Sequence, residues 1–224
     1  MGRHLGLLWA EQGHEVLFGS RTRERAEKAV ALSEHEVRAG TNTEAAEFGD
    51  VLLYTVRGIH PEDVVDDVSA FDGKVVIDCN NGDVPSDFDY PPITESLAEL
   101  LQAQLPGARV VKAFSSTPNE VLELCPDLIA PFEVSVFIAG DDAGARETVG
   151  GLVRDIGLVP VDCGALHASR RIEAATQLII QKIIDSGEFL LTLSLTALPE
   201  PDRSPRLGGR EMSEQTQADL AAGA

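Results

Sequence analysis

The stretch GHEVLFGSRTRERA, from Gly13 to Ala26, decides how the rest of the chain is read. Glu15–Gly19 is a short apolar run with strand composition, and Thr22–Leu32 has the spacing of a helix. A further helical stretch, Arg3–Gln12, comes before it. Helix passes to strand and strand back to helix across turns of only a few residues.

The same rhythm continues outward. Strands are predicted at Asp50–Thr55, Lys74–Asp78, Arg109–Ala113, Val134–Ala139 and Leu158–Asp162. Several are continuous apolar runs, as in strands covered by helices on both faces. Pro160 places the last of them at a sheet edge. Helices are predicted at Thr43–Phe48, Pro61–Val68, Thr94–Gln104, Pro118–Leu124 and Ala143–Asp155. Thr117-Pro118-Asn119-Glu120 offers a cap, a first-turn proline and an acid three residues after the cap. Ser169–Leu198 reads as a long amphipathic helix, or two in series, whose apolar stripe needs a partner. Packing on the chain's own helices and a homodimer interface both satisfy it. Alternation of this kind specifies an α/β fold with a mostly parallel, doubly wound sheet. The expected organisation is a nucleotide-binding domain over 1–165, a C-terminal helical segment over 166–198 and a disordered tail over 199–224.

Composition limits the partners. The 224 residues include 18 Lys and Arg against 37 Asp and Glu, for a formal net charge of −19. Such a chain repels phosphate backbones and anionic lipid, so neither nucleic acid nor a membrane surface is expected to bind. Cys79, Cys125 and Cys163 show no paired spacing and read as reduced, buried thiols of a cytoplasmic protein. The five histidines lack metal-ligand spacing, and no apolar run is long enough to span a bilayer.

Against that acidic background, Ser20-Arg21-Thr22-Arg23 stands out at the end of a strand. An NAD site places an acid there to hold the ribose 2′-OH. Ser20, Arg21 and Arg23 instead suit the 2′-phosphate of NADP(H), which a guanidinium grips bidentately. Ser20 could also cap the following helix. Arg25 lies further along that helix and reads as surface.

Four segments together resemble the NADPH-dependent F420 reductase (F420-dependent NADP oxidoreductase) family: GHEVLFGSRTRERA, VVIDCNN at Val75–Asn81, VVKAFSSTPNEVL at Val110–Leu122 and VFIAGDDAGAR at Val136–Arg146. The similarity covers about residues 2–185. It implies a Rossmann-like fold and hydride transfer between NADP(H) and coenzyme F420 or a related flavin-like acceptor, with the cofactors carrying the chemistry and no catalytic side chain. It also implies site residues. Gly2 would be the third glycine of the phosphate-binding fingerprint, and the opening strand and first two glycines would precede Met1. Thr55 and Val56 would face the nicotinamide and its ribose. Asn80 and Asn81 would lie near the bound cofactors, and Ala113 with Phe114 would floor the space between them. Ser115 departs from the family's asparagine, and Arg57 from a small or aromatic residue. An upstream start and a truncated chain both account for the missing strand. Two other activities remain open: an NADPH-dependent reductase of an imine, ketone or metal chelate, and a catalytically silent NADP-binding protein.

Overall fold

Helix α1 (Gly2–Glu11) opens the fold in the computed structural model, which describes residues 1–31 and 33–196. Its apolar face sinks Leu5 and Trp9 into the main core, worth about 1.5–3 kcal/mol for each such side chain. The Trp9 indole N–H donates to the Leu152 carbonyl at 2.9 Å, and its ring meets Phe114 edge-on at 5.9 Å. At the other end of the helix, His4 Nδ1 lies 2.6 Å from Asn119 Oδ1. Gly6 lets α1 approach the first strand, because a Cβ there would sit 2.5 Å from the Phe18 ring.

Seven strands follow: β1 (Val16–Ser20), β2 (Val37–Thr41), β3 (Val51–Tyr54), β4 (Val75–Asp78), β5 (Arg109–Lys112), β6 (Ser135–Gly140) and β7 (Val159–Asp162). β1 and β2 pair in parallel, and a second sheet has the order β3-β4-β5-β6-β7. β3, β4 and β5 are parallel; β6 pairs antiparallel with β5, and β7 runs alongside β6 at the edge. Pro160 sits in that edge strand, where a missing N–H breaks no ladder on the open side. The remaining helices are α2 (Arg23–Val30), α3 (Asn42–Phe48), α4 (Leu97–Gln104), α5 (Pro126–Ile129), α6 (Ala143–Asp155) and α7 (Ser169–Ser186).

β1 and β3 are not paired with each other, and a cleft of about 640 Å³ runs between them. Val16, Leu17 and Phe18 on one side, and Val51, Leu52 and Leu53 on the other, are only half-buried. Every residue of β4, by contrast, is buried.

Local differences from the sequence expectations have identifiable causes. β2 was not anticipated, because Arg38 and Gly40 interrupt its apolar character. Pro61–Val68 is no α-helix: 3₁₀ turns cover Pro61–Asp63 and Val68–Phe71, the second begun when the Asp67 carboxylate accepts the Ser69 N–H. Pro118–Leu124 likewise makes successive three-residue turns, with a 3₁₀ segment at Val121–Glu123. Thr117 is buried there without a hydrogen-bond partner for its hydroxyl and caps nothing. The C-terminal helix stops at Ser186 because Gly187 adopts φ 72°, a left-handed cap. The chain then returns towards β6, where the Ser135 N–H donates to the Leu193 carbonyl. The tail expected over 199–224 lies outside the described residues. Cys79 is buried as expected, but Cys125 is exposed and Cys163 only half-buried. Among the described residues no helix is long and apolar enough to cross a membrane.

Candidate functional site

The C-terminal ends of β1, β3, β4 and β5 share one edge, the side on which open α/β sheets bind ligands. At the end of β1, Ser20 is half-buried and Arg21 exposed, with no carboxylate in the Ser20–Arg23 segment. Arg23 is differently placed. Its guanidinium donates to the Ala39 carbonyl at 2.9 Å and pairs with Glu44 at 2.7 Å, which ties α2 to β2 and α3. Glu44 is at the same time half of the capping box of α3 with Thr41. An anion reaching this edge therefore meets Arg23 already engaged and Arg21 without a partner among the described residues. The N-cap of α2 is Thr22, not Ser20, and no side-chain cap bond forms.

The cleft between β1 and β3 brings together Gly2, Ser20, Thr55 and Val56. Gly2 stands against Thr55: a Cβ added to it would lie 3.2 Å from Thr55 Cγ2. The start of α1, with its unpaired N–H groups, thus meets the end of β3. Arg25, read from the sequence as surface, also lines the cleft. The Tyr54 hydroxyl points away, donating to the Ile59 carbonyl at 2.8 Å. Burial, with the nearby Asp78 and Asp63 carboxylates, pushes its pKa up to about 12.

At the end of β4 the two asparagines do different work. Asn80 ties strands together, its side-chain amide donating to the Tyr54 carbonyl at 3.0 Å and to Asp78 Oδ1 at 2.8 Å. Asn81 donates to the Ser115 carbonyl at 2.9 Å, and its Oδ1 is buried without a partner. The Ser115 hydroxyl is likewise buried and unpartnered. Orphaned polar atoms at a strand edge leave bonds for a polar ligand to make. Ala113 and Phe114 differ from the expected floor. Both are fully buried, and Phe114 packs on Trp9 with a left-handed φ of 60° that turns the chain sharply after β5. They support the site from beneath and expose no surface to it.

Sequence reasoning singles out Lys112 as a strand-end cation, for an anionic cofactor or for a structural ion pair, but misses the carboxylates that hold it; the structure shows the ion pair. Lys112, with no exposed side-chain surface, donates to Asp78 Oδ2 at 2.9 Å and to Glu173 Oε1 at 2.7 Å. It also donates to the Asn80 carbonyl. Glu173 accepts the Leu97 N–H at 3.0 Å, so one cluster joins β4, β5 and the starts of α4 and α7. Beside it Arg170 grips Glu99 through two bonds of 2.7 and 2.6 Å, and holds the Glu99 carboxyl down at about 2. The available signal was periodicity: Glu173 lies on the face of α7 that also buries Ile172, Thr176 and Ile179. A second cleft of about 290 Å³ opens here, lined by Asn81, Tyr90, Glu173, Thr176 and Ile180 among others.

Known proteins resemble this chain in sequence and fold. Residues 1–82 match the family model described as NADP oxidoreductase coenzyme F420-dependent. The F420-dependent NADP reductase of Methanocaldococcus jannaschii is 30% identical over 186 residues, spanning 75% of this chain and 82% of that protein. The F420-dependent NADP reductase of Methanothermobacter marburgensis is 31% identical over 217 residues, spanning 89% of this chain and 95% of that protein. A crystal structure from Arthrobacter sp. fb24 superposes with a TM-score of 0.75 at 23% identity, covering 88% of this chain and 94% of the other, and supports the fold. By sequence similarity over most of both lengths, the chain belongs to the F420-dependent NADP reductase family.

Proposed function

We propose that this chain is an oxidoreductase that moves a hydride between NADP(H) and coenzyme F420. The observation that carries the cofactor choice is the end of β1. There an exposed Arg21 beside Ser20 takes the place of the acid that an NAD site requires. The residues fit both groups. The guanidinium and hydroxyl suit a 2′-phosphate, and the unpartnered Asn81 Oδ1 and Ser115 Oγ suit a polar ring edge.

When bound, the two cofactors supply the donor and acceptor carbons. The protein's part is orientation and exclusion of water. Gly2 keeps the start of α1 open to close approach, and Arg21 with Ser20 fixes the adenosine end. Thr55 and Val56 form the wall beside the nicotinamide, and Asn81 meets the second ring. Asn80, Ala113 and Phe114 hold that edge in place from behind. Arg23 contributes through its grip on Glu44, which steadies the strand end carrying Arg21.

Cytoplasmic location and a homodimer belong to the same reading. The acidic composition and free thiols favour the first. The second is favoured by α7, where Leu178 and Ile184 are 60% and 51% exposed.

Arg21→Ala tests the cofactor assignment. It is expected to raise the KM for NADPH at least tenfold while leaving that for NADH within about twofold, a loss of about 1.4 kcal/mol or more confined to the phosphorylated cofactor. Equal effects on both cofactors would remove the 2′-phosphate from the account.

A further inference from the structure

Where β4, β5 and α7 meet, two carboxylates face one ammonium out of water. The side chains of Lys112, Asp78 and Glu173 are 0%, 2% and 7% exposed. Fully ionised, the cluster would keep one uncompensated negative charge in a dry site, which is strongly disfavoured. A single proton removes it. Hydrogen bonding leaves room for that proton on Glu173. Asp78 is saturated with donors: Oδ2 takes Lys112, and Oδ1 takes both the backbone N–H and the side-chain amide of Asn80. Glu173 uses Oε1 alone, for Lys112 Nζ and the Leu97 N–H, leaving Oε2 to carry the proton.

The surroundings agree. Burial pushes the Glu173 carboxyl up, and the Asp78 charge adds to this while Lys112 and the Leu97 N–H oppose it. Asp83 and Glu95 line the same cleft, and Glu99, paired with Arg170, stands at the adjoining start of α4. Glu173 is also a wall of that cleft, together with Asn81 and Tyr90, whose buried Oδ1 and hydroxyl lack partners.

We propose that Glu173 is a catalytic acid and base, exchanging a proton with the hydride acceptor bound in the cleft between Asn81 and α7. This rests on the hydride-transfer reading above. A hydride brings the acceptor carbon two electrons and one proton from the nicotinamide C–H bond, leaving a ring nitrogen that needs a second proton. Glu173 supplies it: its O–H bond breaks, an N–H bond forms, and the carboxylate regains a proton from water at the cleft mouth. In the opposite direction Glu173 first gives its proton to water at the cleft mouth, and the carboxylate then accepts the ring-nitrogen proton as the hydride leaves for NADP⁺. Lys112 acts as a positioning residue, holding Oε1 and leaving Oε2 without a hydrogen-bond partner among the described residues.

Two measurements test this together. Carbon-13 carboxyl NMR of the cofactor-free protein, assigned with Glu173→Gln, is expected to show Glu173 titrating clearly above the ordinary value of ~4.3. The rate of F420 reduction by NADPH is expected to fall as pH rises through that same midpoint. In Glu173→Gln, which keeps an acceptor for Lys112 and Leu97, the rate should drop at least tenfold and lose this pH dependence, with the Kd for NADPH unchanged. An ordinary Glu173 midpoint, or a variant with the wild-type profile, overturns the proposal. A wild-type chain that binds NADPH yet reduces no F420 overturns the functional reading instead.

Discussion

At the scale of single residues, the chemistry sits in side chains whose neighbours are far away in sequence. Lys112 draws on Asp78 and Glu173, 34 and 61 positions distant, so no local motif reveals the cluster. Arg21 and Arg23 look equivalent in sequence and both are exposed, yet Glu44 engages only Arg23. That distinction depends on β2 and α3 folding back beside β1. Close approach is also a residue-scale matter. Gly6→Ala puts a methyl within 2.5 Å of the Phe18 ring, so the substitution is expected to destabilise the protein by about 1–3 kcal/mol despite the better helix propensity of alanine. Urea denaturation checks it, and an unchanged or raised midpoint would mean that α1 has room to move away from β1.

Among the elements, the strands built on continuous apolar pairs or triplets were legible from those runs. β3, β4, β5 and β6 fall within a residue or two of the predicted runs. β2 was hidden by Arg38 and Gly40, and it forms because β1 offers a parallel partner along its whole length. Short acidic and proline-bearing stretches misled for the opposite reason: local side-chain bonds such as Asp67 to Ser69 draw the chain into 3₁₀ turns. The unpaired edges of β1 and β3 should show themselves in amide exchange. Protection over Val16–Ser20 and Val51–Tyr54 is expected to be at least tenfold lower than over Val75–Asp78, whose strand is paired on both sides. Equal protection across the three strands would contradict an open cleft.

For the molecule as a whole, the sheet places two clefts side by side along the edge where β1, β3 and β4 end. Gly2, Ser20, Thr55 and Val56 belong to the first and Asn81 with Glu173 to the second, while Asn80 binds the Tyr54 carbonyl between them. Alternation of strands and helices was enough to foresee the edge. The division of labour along it depends on tertiary contacts made by α7. The net charge of −19 makes the exposed guanidinium at the end of β1 a local exception in a field that otherwise repels anions. The proposed function rests on direct hydride transfer. NADPH carrying deuterium at the transferred position, mixed anaerobically with oxidised F420 and this protein, should give reduced F420 bearing that deuterium with loss of the oxidised F420 absorbance. Oxidation of NADPH without label in F420, or no reaction with F420 at saturating NADPH, would contradict it.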